Sequence, residues 1–192
     1  MSTIVLAVPA FSGATKAQFS IVGAMEVASA SAQFQADAGD PGNTVPRKEI
    51  SFDTALLPGS VLVRTAVRQL YFILPNGRAI VYPVAVGREG FAWKGTNTVS
   101  RKAEWPDWRP PQQMIAREAS AGHFIPDLVK GGEGNPLGAR AIYLGDTDYR
   151  IHGTDKPWSI GYASSSGCIR MLNEDVTELY DLIKIGATVV VE

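Results

Sequence analysis

The sequence predicts a mainly β chain with a few helices, an α+β fold in which a C-terminal helix precedes a closing strand. Three observations carry this. Short runs rich in β-branched and aromatic residues recur between residues 61 and 86, and again between 141 and 152. One apolar helical face stands out, on Val176, Leu179, Tyr180 and Ile183. The last residues, Ala187 to Val191, return to strand character.

The elements follow in order. Val61–Thr65 and Arg68–Leu74 read as strands. Pro75-Asn76-Gly77 is a turn signal, so Arg78–Val86 should return as the second arm of a hairpin. Pro83 in that arm predicts an edge position or a bulge. Residues 87–95 read as a loop. Residues 94–138 carry many prolines, glycines and tryptophans with little periodicity, which predicts long loops with short helical pieces. Ala141–Leu144 and Tyr149–His152 read as two further strands, with His152 at the end of the second. Asn173 is placed as an N-cap, and Glu174 and Asp175 put negative charge in the first helical turn. Gly186 is placed to end the helix.

Residues 1–47 read differently. Ile4-Val5-Leu6-Ala7-Val8 is apolar but far shorter than a membrane span of about 20 residues. Lys16 is the only basic residue before Arg47, so the usual positive n-region is missing. Ala28-Ser29-Ala30 and Ala30-Ser31-Ala32 resemble small-residue cleavage sites. An atypical or truncated export signal with a linker and a disordered leader are both open. Residues 48–192 are the expected folded, catalytic domain. The chain has 192 residues, 45% of them hydrophobic, enough for one sizeable core. A net charge of −1 gives no footprint for nucleic-acid binding. A single cysteine forbids an internal disulfide.

That cysteine is the focus of the chemistry. Cys168 sits in Ser165-Ser166-Gly167-Cys168-Ile169-Arg170, and His152 lies upstream in Arg150-Ile151-His152-Gly153-Thr154. A thiol needs a base to become a nucleophilic thiolate, and one of only two histidines is nearby in sequence. The serine and glycine before the thiol suit a tight turn whose N–H groups face a developing oxyanion. Arg170, two positions on, points to the same side in an extended segment and is placed to bind a carboxylate or to favour the thiolate; a structural ion pair is the alternative. Trp158 is a candidate wall of the acyl pocket or a core aromatic. Asp155 competes to orient the histidine, though a turn role suits it better. His123 lies outside this motif, and Tyr143 is a possible hydrogen-bond donor near it. One cysteine and two histidines offer no zinc-site spacing. Gly131-Gly132-Glu133-Gly134 lacks the lysine and hydroxyl of a phosphate loop, so neither metal nor cofactor is expected.

These motifs resemble the L,D-transpeptidase catalytic domain, the YkuD or ErfK/YbiS/YcfS/YnhG family. The resemblance rests on His152–Gly161, Ser164–Met171, Asn173–Val176 and the Asn135-Pro136-Leu137-Gly138 element, with Trp105 to Pro111 ahead of it. Members often carry a second histidine before the glycine of the Cys motif. Here Ser166 stands there, so no role of that histidine carries over. The resemblance implies a β-sandwich fold and a peptidoglycan L,D-transpeptidase of the periplasm or cell envelope, involved in cell-wall biogenesis and cell shape and a target of carbapenems. Cys168 would attack the stem-peptide amide before the terminal D-alanine, and His152 would act as base and acid. His152 would be oriented by the Gly153 carbonyl, and Ser165 would tie the loop. The N–H groups of Cys168 and Gly167 would hold the oxyanion, where loss of one donor costs about 10²- to 10³-fold. The acceptor would be diaminopimelate of a second stem, giving a 3→3 cross-link. Water, a D-amino acid or a lipoprotein lysine are alternatives on the same acyl-enzyme.

Two rivals are weighed. Papain-like and NlpC/P60-like peptidases place cysteine before histidine, the reverse of the order here. An inactive wall-binding module is opposed by the intact His152, Gly167, Cys168 and Arg170.

Overall fold

The computed structural model describes residues 46–192. The expected leader or export segment lies outside them, apart from Pro46 and Arg47. The strands are β1 (Lys48–Ser51), β2 (Val61–Arg64), β3 (Gln69–Leu74), β4 (Arg78–Pro83), β5 (Val86–Gly87), β6 (Gly95–Glu104), β7 (Arg140–Leu144), β8 (Arg150–His152), β9 (Ala163–Ser165), β10 (Ile169–Arg170) and β11 (Thr188–Val191). Helix α1 spans Gln112–Ser120, helix α2 spans Asn173–Leu182, and a 3₁₀ turn covers Pro157–Ser159. Strands dominate, as the composition of the runs predicts, in a mixed sheet ordered β1-β4-β3-β2-β11-β6-β7-β8-β10, with β5-β9 as a separate pair.

The β3–β4 hairpin turns at Asn76 and Gly77, whose φ values of 62° and 64° explain why an Asn-Gly pair sits there. Pro83 is the last residue of β4. The pairing of β1 with β4 stops at Val81, so the missing N–H of Pro83 breaks no bond to β1. Alternation then divides the first half of the sheet. Val61 and Val63 face the main core, while Leu62, Tyr71 and Val81 face a smaller cluster closed by Phe52, stacked on Tyr71 at 4.6 Å.

Strand β6 departs from the loop expected over 94–138. It is polar and mostly exposed, without an apolar alternation to announce it. Its backbone makes it a strand: Gly95–Thr98 pair with β11, and Val99–Glu104 pair with β7. A bulge between Val99 and Arg101 marks the change of partner. The two halves of the sheet share one core. Val63, Leu70 and Tyr82 of one half pack in the same cluster as Ile142, Leu144 and Ile151 of the other. That is the sandwich arrangement, with β6 running from one half to the other.

Helix α2 presents Val176 and Leu179 to this core, with Tyr180 packed against it and Ile183 buried just beyond the helix end. Two expectations need correction. The N-cap is Leu172, not Asn173, and no side chain caps the helix. Asn173 is the first helical residue, and its carboxamide is engaged elsewhere. The helix also ends at Leu182, with Ile183 already extended, so Gly186 (φ 87°) belongs to the turn into β11.

Candidate active site

Parallel strands β8 and β10 place the chemistry. Their register pairs Ile151 with Ile169 and His152 with Arg170, which sets Cys168 level with Arg150. Residues two apart on a strand share a face. Arg150, His152, Cys168 and Arg170 therefore form a two-by-two array on one side of the ladder, and all four line one cavity of about 540 Å³. On its other side β10 is held by the Ala85–Arg170 bridge, with both N–H···O bonds at 2.9 Å. Helix α1 supplies Met114, Arg117 and Glu118 to the facing wall, although none of its residues is buried.

His152 is buried. Its Nδ1 lies 2.6 Å from the Gly153 carbonyl oxygen, so Nδ1–H donates and Nε2 carries the free lone pair. Burial, reinforced by the charge of Arg170, pulls its pKa down to about 3. Cys168 is half-buried. Its thiol donates to the Asp148 carbonyl oxygen at 3.7 Å. Burial pushes the thiol pKa up, while the Arg150 charge, a backbone hydrogen bond from Arg150 and the Arg170 charge pull it back. Burial thus favours a neutral imidazole and a neutral thiol at rest.

The loop before the cysteine is tied by one hydroxyl. Ser165 Oγ donates to the Cys168 carbonyl oxygen at 2.5 Å and accepts from the Gly167 N–H at 3.2 Å. Gly167 has φ 111°, and a Cβ there would meet the Tyr149 ring at 2.7 Å. Tyr149 stacks on Trp93 at 4.8 Å, so the loop rests on an aromatic floor that only glycine can approach. The Gly167 N–H, expected to share the oxyanion, is therefore already engaged. Among the described residues nothing pairs with the Cys168 N–H, which is the open donor.

Arg170 lines the cavity with no carboxylate in ion-pair range among the described residues, as do Arg150, Arg88 and Lys156. Trp158 is 72% exposed and does not line the cavity; it is neither a core aromatic nor the pocket wall. Its neighbours Lys156 and Ser159 are in the lining instead. Asp155 does not touch His152, whose orienting partner is Gly153. Tyr143 lies under two guanidinium groups, Arg101 at 3.6 Å and Arg150 at 5.4 Å, and is outside the lining. His123 is exposed beside Glu118 at 3.3 Å.

Arg150 was not singled out from the sequence, yet the i, i+2 argument that picks Arg170 from Cys168 picks Arg150 from His152. Arg88 and the α1 residues reach the cavity from distant stretches with no motif, and only the fold brings them in.

A sequence model of the L,D-transpeptidase catalytic domain (YkuD) matches residues 58–191. The chain belongs to the L,D-transpeptidase family. Across 151 residues it is 35% identical to the probable L,D-transpeptidase ErfK/SrfK of Escherichia coli K12, covering 76% of this chain and 47% of that protein. The chain thus spans about half the length of that relative. L,D-transpeptidase 3 of Mycobacterium tuberculosis shares the fold at a TM-score of 0.53 and 18% identity, covering 69% of this chain and 59% of that one. A Brucella melitensis protein described as a probable carnitine operon oxidoreductase matches at a TM-score of 0.52 and 39% identity, covering 80% of this chain and 96% of that one. The redox activity in that name belongs to the Brucella protein; the L,D-transpeptidase domain match and the ErfK/SrfK relative set the family here.

Proposed function

We propose that this L,D-transpeptidase family member transfers acyl groups between peptidoglycan stem peptides through a thioester on Cys168. The observation that carries the reading is the shared face of β8 and β10, which puts a thiol, an oriented imidazole and two guanidinium groups without a carboxylate partner among the described residues into one cavity. Unpaired cations suit a peptide rich in carboxylates. Arg88, Arg150, Arg170 and Lys156 face such a ligand here, against the acidic Glu118 and Asp148.

At rest the thiol is hydrogen-bonded to the Asp148 carbonyl, so the first step turns it from that oxygen toward His152 Nε2. A bound donor stem displaces water and presents its scissile amide carbonyl to Sγ. The thiol proton passes to His152 Nε2 as Sγ attacks, so imidazolium and the anionic tetrahedral centre form together. This pairing answers the low resting pKa of His152: its basicity rises as negative charge develops beside it. The Cys168 N–H donates to the oxyanion. Recruiting the Gly167 N–H as a second donor requires opening its 3.2 Å bond to Ser165. The imidazolium then protonates the leaving amine, D-alanine departs and the thioester remains. An acceptor amine attacks the thioester, gives its proton to Nε2, and the thiol is restored. With diaminopimelate of a second stem as acceptor the product is a 3→3 cross-link. Water, a D-amino acid or a lipoprotein lysine would use the same intermediate. Such chemistry belongs in the periplasm or cell envelope, where peptidoglycan and a role in cell shape lie. A carbapenem or penem is a suitable probe, because the Mycobacterium enzyme of the same fold has been seen with a faropenem-derived adduct.

The test is product analysis with a diaminopimelate-containing tetrapeptide. We expect release of free D-alanine together with a cross-linked dimer, and neither with Cys168→Ala. D-Alanine without dimer would make the enzyme a carboxypeptidase. Turnover retained in Cys168→Ala would end the thioester mechanism.

A further inference from the structure

The carboxamide of Asn173 is placed where a helix cap was expected, but it points away from its own helix. Its Oδ1 accepts from the Ala139 N–H at 3.0 Å and from the Thr154 N–H at 3.1 Å. Its Nδ2 donates to the Thr154 carbonyl oxygen at 3.0 Å. Two glycines make room for it. A Cβ on Gly138 would lie 2.2 Å from Oδ1, and one on Gly153 would lie 2.1 Å from it. Side chains at either place would expel the amide.

The Thr154 N–H and the Gly153 carbonyl belong to one planar peptide group and point in opposite directions. The N–H end is held by Asn173 Oδ1, and the carbonyl end accepts from His152 Nδ1 at 2.6 Å. Tilting that peptide plane breaks both bonds at once. A hydrogen bond at the N–H end also polarises the carbonyl and strengthens it as an acceptor. We propose that Asn173 is a positioning residue for His152, acting through the Gly153–Thr154 peptide to fix the Nδ1–H tautomer and aim Nε2 at Cys168. His152, this peptide and Asn173 then form a line in which a main-chain amide stands between the imidazole and its orienting side chain. Because Asn173 opens α2, the line anchors the histidine to the core helix. This assignment rests on His152 serving as the base in the reaction proposed above.

The test reads the histidine directly and the reaction separately. In the full chain labelled with ¹⁵N-histidine, the wild type should show a single Nδ1-protonated tautomer for His152 at neutral pH. Asn173→Ala should mix the tautomers and slow acylation of Cys168 by faropenem by about tenfold to a hundredfold, on the scale of a lost supporting contact to a catalytic group. Asn173→Asp keeps the acceptor at Oδ1 but loses the Nδ2 donor to the Thr154 carbonyl, so it should keep the single tautomer while lowering thermal stability. A merely structural role would lower thermal stability without changing the tautomer. An unchanged tautomer and rate in a folded Asn173→Ala overturns the proposal. If that variant does not fold, Asn173→Asp decides, and a mixed tautomer in it overturns the role of Oδ1. Should the wild type fail to acylate while showing the fixed tautomer, the reaction proposed above fails and the positioning contact stands.

Discussion

At the scale of single residues, the site favours a neutral pair at rest. Burial lowers the His152 pKa to about 3 and raises that of Cys168, which disfavours a thiolate–imidazolium pair before substrate arrives. The sign is testable. Alkylation of Cys168 by iodoacetamide should be slow at pH 6, climb through pH 9 and show no low-pH plateau. A plateau between pH 4 and 6 would mean a preformed ion pair and contradict the account. Cys168 and His152 stand out in the sequence because nucleophile and base types are rare in this chain, and the fold brings both to one cavity. Gly167 was legible as a turn glycine, but the engagement of its N–H by Ser165 was not. Which donor a hydroxyl takes depends on side-chain direction, and sequence spacing leaves that open. Asn173 shows the same limit. Asn before an acidic turn reads as a cap, and only the approach of Gly138 and Gly153 reveals its other use.

At the scale of elements, α2 fastens the site and carries a cost. Asp175 is buried, its Oδ2 has no hydrogen-bond partner, and burial raises its pKa to about 6. Nearby, Glu178 accepts from the Tyr82 hydroxyl at 3.0 Å and pairs with Arg47. A carboxyl whose folded pKa lies above its unfolded value of about 3.9 holds its proton more tightly when folded. Its contribution to stability is present at low pH, is lost as pH rises through about 6, and stays lost above it. Asp175→Asn should therefore raise Tm at pH 8 by on the order of 1–3 °C. The gain should vanish near pH 3.5, and His152, common to both proteins, cancels from the difference. An equal Tm difference at both pH values in thermal unfolding would contradict this origin. Helix α2 was legible from the spacing of Val176, Leu179 and Ile183. Strand β6 was not, because its polar side chains follow solvent while its backbone bonds to neighbours far away in sequence.

At the scale of the whole molecule, the sheet brings three distant stretches to one cavity. Strand β8 carries the proposed base, and β10 follows directly on the proposed nucleophile. Arg88, Trp108 and α1 supply the facing wall, and Asn173 of α2 bonds the peptide that holds the His152 ring. A mainly β fold was legible from runs of β-branched and aromatic residues and from turn signals, and the family from the Cys and His motifs. The order of the strands was not, since parallel pairing of β8 with β10 and of β11 with β2 joins segments that no local pattern links. The central claim is that this architecture makes a thioester at Cys168. Intact-mass measurement of the full chain, mixed with a diaminopimelate tetrapeptide stem and quenched in acid, tests it most directly. The account predicts a mass gain equal to the stem less D-alanine, mapped to Cys168 and absent in Cys168→Ala. A folded protein with a free thiol that releases D-alanine without that adduct at any quench time would contradict it.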